Sequence, residues 1–163
     1  MHGIASGDPL TEAVILWTRV TPERDGDVVL DWEISEEESF DSIVASGSGT
    51  THAGVDYTVK VDATGLSPDT VYYYRFMAGA NISPVGRTKT VPLGALGAAA
   101  FAVMSCSNYP AGYFNVYREV SRQSVDAVLH LGDYIYEYPR GGYASDTAEE
   151  LNRQVEPVNE LLT

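Results

Sequence analysis

Three side chains in this sequence are of the types that could together hold a highly charged cation: the thiol of Cys106, the carboxylate of Asp133 and the phenol of Tyr136. Phe101 to Met104 is an apolar run that ends at Ser105-Cys106-Ser107-Asn108-Tyr109, which carries the only cysteine. Val125 to Leu131, mostly apolar, leads into Gly132-Asp133-Tyr134-Ile135-Tyr136-Glu137-Tyr138. In an open α/β sheet, chemistry collects outside the carboxyl ends of the strands, and neighbouring strands lie ~5 Å apart. The spacing predicts that Cys106 and Asp133 can reach one ion. A helical turn after Gly132 would bring Tyr136, three residues on, to the same side. Thiolate, carboxylate and phenolate carry three negative charges, a match for a trivalent ion such as Fe³⁺. The ion would in turn keep the thiol and phenol deprotonated. Zinc rarely takes tyrosine, and its common ligand spacings are absent.

Each donor also has a plainer reading. A lone cysteine is usually a small hydrophobe, an aspartate after glycine is often a turn former or a helix cap, and Tyr134, Tyr136 and Tyr138 could be a packing stripe. His130, inside an apolar strand, reads as a hydrogen-bonded core residue with a supporting role near a metal as the minor option. A Cys106–His130 nucleophile pair is conceivable, but His130 lies three residues before the strand's catalytic end. Asn108 reads as a turn residue or a donor near phosphate. His2 and His52 show no ligand spacing.

The elements that must position these donors fall into two regions. Residues 1–93 read as an all-β sandwich. Val14 to Val20 is a mostly apolar run bearing Trp17. Leu30, Trp32 and Ile34 alternate with polar neighbours, as do Val55, Tyr57, Val59 and Val61, the period-2 pattern of half-buried strands. These strand patterns place Trp17 and Trp32 in buried positions. Residues 36–54 read as a loop with at most one short strand. Pro68 presets a turn before Val71 to Arg75, which puts Tyr72 and Tyr74 on one face, like the tyrosine corner of a fibronectin type III or immunoglobulin-like sandwich.

After the small-residue hinge 94–97, residues 98–163 change character. Ala98 to Met104 reads as a strand buried on both faces. Phe114, Val116, Tyr117 and Val120 have helical spacing within residues 113–123. With the strand over 125–131 they make the first βαβ unit of an α/β domain. Asp146 with Glu149 could form a capping box, and Pro157 could open a last helix. Such a unit leaves an apolar sheet face uncovered, so the sequence reads as the front part of a longer protein.

Composition excludes some classes. Of 163 residues, 23 are Asp or Glu and 10 are Lys or Arg, for a net charge of −13. The excess is spread along the chain, with six basic against fourteen acidic residues before Gly97 and four against nine from there on. Such a field repels phosphate backbones and argues against nucleic acid as a partner. No apolar run approaches the ~18 residues of a membrane span, and no signal segment is present at Met1. One cysteine makes no internal disulfide, which leaves the compartment open. A second reading is an adhesion module, in which the β region binds glycan or protein and has no catalytic role.

His2-Gly3-Ile4-Ala5-Ser6-Gly7-Asp8-Pro9, Val14-Ile15-Leu16-Trp17-Thr18-Arg19 and the two motifs around Cys106 and Asp133 together resemble the PhoD-type alkaline phosphatases. The resemblance spans nearly the whole chain. It implies a fibronectin-like domain followed by the start of a calcineurin-like metallophosphatase domain. It implies hydrolysis of small phosphate mono- or diesters by metal-activated hydroxide, in a monomer exported to the periplasm or medium, commonly by the twin-arginine route. It also implies Cys106 and Tyr136 as ligands of Fe³⁺, and Asp133 as a catalytic ligand bridging Fe³⁺ to Ca²⁺. The usual Asp-x-His of metallophosphatases is replaced here by Cys106, and a later aspartate by Tyr136. Further Asn, Asp and His ligands of that family have no counterpart up to Thr163, so these residues alone are expected to be inactive or nearly so.

Overall fold

The computed structural model describes residues 1–143 and 147–161. The chain divides into two compact units, Met1–Leu96 and Gly97–Thr163.

The first unit is built from antiparallel strands in two sheets. β1 (Gly3–Gly7), β2 (Ala13–Arg19) and β5 (Thr58–Thr64) form one, in the order β1-β2-β5. The other contains β4 (Ala45–Thr51), β3 (Val28–Ser35), β6 (Val71–Ala78) and β7 (Asn81–Ile82) in that order, with β8 (Gly86–Lys89) also paired to β6. Alternation along each strand sends one set of side chains inward. Val14 and Leu16 from β2, Leu30 and Ile34 from β3, Val59 and Ala63 from β5, and Tyr72, Tyr74 and Phe76 from β6 form one buried cluster. This is a β-sandwich with an apolar interior between its sheets.

The turn at Pro68 ends in a tyrosine corner. Tyr72 is fully buried, and its hydroxyl accepts a hydrogen bond from the Ser67 amide at 2.9 Å. The bond satisfies a polar atom that would otherwise be costly to bury. Thr90 closes the same corner from the other side: its hydroxyl donates to Ser67 O at 2.7 Å and accepts from Thr70 N at 3.0 Å.

Several expected elements differ. The alternation from Val55 predicts a strand that starts there, but Ala53–Val55 is a 3₁₀ turn and β5 begins at Thr58. Asp56 and Tyr57 take left-handed backbone angles, and Arg19 binds the Asp56 carboxylate through two nitrogens at 3.0 and 2.8 Å. The tertiary pair thus fixes a turn, while Tyr57 still packs against the core. Residues 36–54 contain one strand, but β4 is seven residues long. Trp17 and Trp32 are half-buried rather than buried. Trp17 faces away from inward-pointing Leu16 and Thr18, and the Trp32 indole lies so close to Gly47 that an added Cβ would meet it at 2.8 Å.

The second unit contains β9 (Phe101–Met104), α1 (Asn115–Val120) and β10 (Ala127–His130), and β9 and β10 pair in parallel with Met104 opposite His130. At their start the Asp126 amide donates to Ala100 O at 2.8 Å, and the Asp126 carboxylate accepts from the Ala100 amide at 2.9 Å. β9 is not buried on both faces: Phe101 and Val103 are 55% and 58% exposed. Two strands and a six-residue helix supply too little surface to cover an apolar pair, and Val116 of α1 is itself exposed. Pro157 opens no helix, since residues 156–161 are bends and irregular chain. Asp146 of the expected capping box lies outside the described residues. Among the described residues no helix is long and apolar enough to cross a membrane, which says nothing of β-barrels.

β8 places Gly86 opposite Tyr74, where an added Cβ would come within 2.3 Å of the phenol ring. Gly86→Ala should therefore force the buried ring out of place and cost about 1–3 kcal/mol, the usual penalty for overpacking. A denaturant titration followed by tryptophan fluorescence checks this; an unchanged midpoint would contradict the packing described.

Candidate metal centre

Beyond the last ladder residues, β9 and β10 stay attached through three further backbone bonds. Leu131 N donates to Met104 O at 2.8 Å, Cys106 N to Gly132 O at 3.1 Å, and Ser107 N to Asp133 O at 2.8 Å. The two loops are thus zipped together just where the candidate donors leave the sheet. Cys106 and Asp133 both sit in the left-handed region, with φ of 66° and 52°. That region costs a side-chain-bearing residue about 1–2 kcal/mol, and strain of this kind gathers at functional sites. Here it turns both side chains toward one point.

The outcome is a three-donor cluster. Cys106 Sγ donates to Asp133 Oδ2 at 3.5 Å, and Tyr136 Oη donates to the same oxygen at 3.3 Å. The convergence does not come from a helical turn after Gly132, because residues 133–136 are irregular chain with bends at 134 and 135; the left-handed Asp133 brings Tyr136 round instead. Tyr143 braces Tyr136 from the outside with a stacked ring at 5.5 Å and 15°. Among the described residues no three of His, Cys, Asp and Glu come together, so a third donor here has to be the tyrosine.

The electrostatics suit a cation. Partial desolvation first, then the neighbouring thiol and the Asp133 carboxylate, push the Tyr136 phenol far above its ordinary value. A positive ion at this point would relieve the opposition to ionising the Tyr136 phenol. Donors each about 2.0–2.3 Å from an ion lie ~2.8–3.5 Å from one another, the range of the contacts seen here. The residues present therefore fit Fe³⁺ or a similar hard, highly charged ion.

Residues 1–92 match the family described as PhoD-like phosphatase, N-terminal domain, and residues 101–163 match PhoD-like phosphatase. The chain belongs to the PhoD-like phosphatase family. It is 44% identical over 156 residues to alkaline phosphatase D of Bacillus subtilis (strain 168), covering 89% of this chain and 26% of that protein. The solved structure of PhoD is similar with a TM-score of 0.88 and 39% identity, over 99% of this chain and 32% of that one. The PhoD-like chain described here thus spans less than a third of the length of these two relatives.

Around the cluster, this PhoD-like chain holds groups whose partners the spacing did not predict. His130 makes no bond to Cys106. Its Nε2 lies 3.0 Å from both Ser107 Oγ and Tyr117 Oη, and those two hydroxyls are themselves bonded. Asn108 Nδ2 donates to Tyr143 O at 3.2 Å, while its Oδ1 is buried without a partner among the described residues. Arg153 donates through Nε to Tyr109 O at 2.8 Å and stacks its guanidinium 3.8 Å from the Tyr109 ring. Ser107, Tyr117, Tyr134 and Tyr136 share the wall of a cavity of about 700 Å³ with Tyr138 and Phe114. His2 and His52 serve the β unit, bonding Thr21 Oγ1 and the Gly54 amide.

With no metal added, alkaline titration by phenolate absorbance should show Tyr136 ionising well above the ~10 of an ordinary phenol. Its native state holds the proton more tightly than the unfolded chain. The resulting stability is present below about pH 10 and lost as pH rises through the raised native value. Tyr136→Phe should remove one late-ionising phenol, and a curve identical to wild type would contradict this electrostatic picture.

Proposed function

We propose that these residues carry the iron-binding part of an exported, metal-dependent alkaline phosphatase or phosphodiesterase acting on small phosphate esters. The observation that carries the reading is the meeting of Cys106 Sγ and Tyr136 Oη on a single Asp133 oxygen. Family membership supports it, as does the alkaline phosphatase D relative. In this reading Cys106 and Tyr136 would hold Fe³⁺, and the Asp133 carboxylate would be shared between it and Ca²⁺. Bound cations would supply Lewis-acid polarisation of a phosphoryl oxygen and acidify a water at moderate pH.

The chain's own residues then set the conditions for that chemistry. Asp133 would fix the spacing of whatever it bridges, because its carbonyl is tied to the Ser107 amide and its backbone takes a left-handed angle. Tyr136 is held by Tyr143 on one side and by the Asp133 carboxylate on the other. The thiolate and phenolate stabilise the trivalent over the divalent state by their charge. Three protein donors would satisfy such an ion only in part, so residues 1–163 alone would bind iron weakly.

The β9–α1–β10 arrangement supports a calcineurin-like start for the second unit. Its parallel strands deliver both donors at their carboxyl ends. In the first unit, β4 pairing with β3 and the buried corner tyrosine support a fibronectin type III-like class. Export to the periplasm or medium is part of the proposal, resting on the family.

In the full-length protein supplied with Fe³⁺ and Ca²⁺, Asp133→Ala should lower turnover of a nitrophenyl phosphate ester by more than about a hundredfold. Unchanged turnover would end the assignment. Cys106→Ser should abolish a visible thiolate-to-iron charge-transfer band, whereas an iron-loaded wild type without such a band would remove Cys106 as a ligand.

A further inference from the structure

Ser107, Tyr117 and His130 form a closed ring of polar contacts: Oγ to Oη at 2.5 Å, Oγ to Nε2 at 3.0 Å and Oη to Nε2 at 3.0 Å. The three come from the Cys106 loop, the middle of α1 and the last residue of β10. His130 has no other hydrogen bond among the described residues, and its Nδ1 is buried without a partner. The ring plane is set by a parallel stack on Tyr117 at 6.4 Å and an edge contact with Tyr134 at 4.9 Å. So oriented, the imidazole spends its polar contacts on the two hydroxyls.

Ser107 is the member that links this ring to the donors. It follows Cys106 directly, and its amide donates to the Asp133 carbonyl at 2.8 Å. Its side chain is therefore anchored to α1 and β10 while its backbone grips the opposite loop. Cys106 and Asp133 both take left-handed angles that are costly for a side-chain-bearing residue. An unanchored loop would relax by turning one donor away.

We propose that Ser107, Tyr117 and His130 form a positioning network that holds Cys106 and Asp133 at ligating distance for iron. The inference rests on the metal reading above. None of the three residues touches the ion; they act through the Cys106 loop. Hydrogen-bonding partners of this kind commonly tune metal affinity by 10–100-fold.

The test uses full-length protein and four variants, Ser107→Ala, Ser107→Thr, Tyr117→Phe and Cys106→Ser. Iron affinity is measured by competition with a chelator, the charge-transfer band by visible absorption, and folding by thermal melting. Ser107→Ala and Tyr117→Phe should each weaken iron binding by about 10–100-fold and shift the band, while Ser107→Thr, which keeps the hydroxyl, should retain both. Wild-type affinity and band position in Ser107→Ala and Tyr117→Phe would overturn the proposal, even if melting falls, because that pattern marks a purely structural ring. Should Ser107→Ala fail to fold, Tyr117→Phe, which removes only one oxygen, decides the matter alone. A band that survives Cys106→Ser, or a wild type that takes up no iron, would instead overturn the metal reading and this network's role with it.

Discussion

The candidate site depends on hydrogen bonding that continues past the end of a short parallel ladder. β9 and β10 pair over only four residues each, yet the bonds from Cys106 to Gly132 and from Ser107 to Asp133 carry the attachment into both loops. Without them, two flexible loops would each have to be ordered at an entropic cost of about 1–2 kcal/mol per residue. With them, the positions of the thiol and the carboxylate follow from the sheet. Left-handed angles at Cys106 and Asp133 then set the direction in which each side chain leaves. Register, loop attachment and backbone hand act together, and none alone would bring sulfur and oxygen to 3.5 Å.

Charge gives this geometry its meaning. The chain is acidic throughout, so its field opposes anions and favours cations. The cluster gathers a carboxylate and two acidic donors in one place, and desolvation, then the neighbouring thiol and carboxylate, hold the proton on the Tyr136 phenol. A thiol, a carboxyl and a phenol in mutual contact form an arrangement that a core would avoid and a hard cation would favour. All three donors lie in the second unit. The polar groups of the β-sandwich are spent on its own corner and turns, as the bonds of Tyr72, Thr90 and His52 show.

Much of the sandwich was legible because a strand's period of two is written directly into side-chain type. Leu30 and Ile34, or Tyr72, Tyr74 and Phe76, alternate with polar residues for the simple reason that one face is buried. Legibility failed where a distant residue decided the local backbone. The pattern from Val55 looked like a strand, but Arg19 captures Asp56 and turns the chain, so the strand begins three residues later. Trp32 matched a buried position and is only half-buried, because β4 offers it glycine rather than a covering side chain. In the second unit, apolar runs announced strands correctly but not their exposure, since burial depends on layers that two strands and one helix do not supply.

Residue type and order pointed to Cys106, Asp133 and Tyr136 as donors near one another, and the structure brings the three side chains into contact: donor chemistry belongs to the side chain, and apolar runs that stop at a Gly-Asp or Ser-Cys step mark strand ends. Spacing also suggested that Asp133 and Tyr136 share a side, but the device differs, a left-handed bend in place of a helical turn. Only the tertiary structure joined Ser107, Tyr117 and His130, or set Tyr143 against Tyr136, because contacts between residues 7 to 23 positions apart depend on where separate elements dock. Sequence by itself determined which atoms could bind a metal. Folding decided that they point at one another, because direction is a property of backbone angles and strand pairing that no single residue carries.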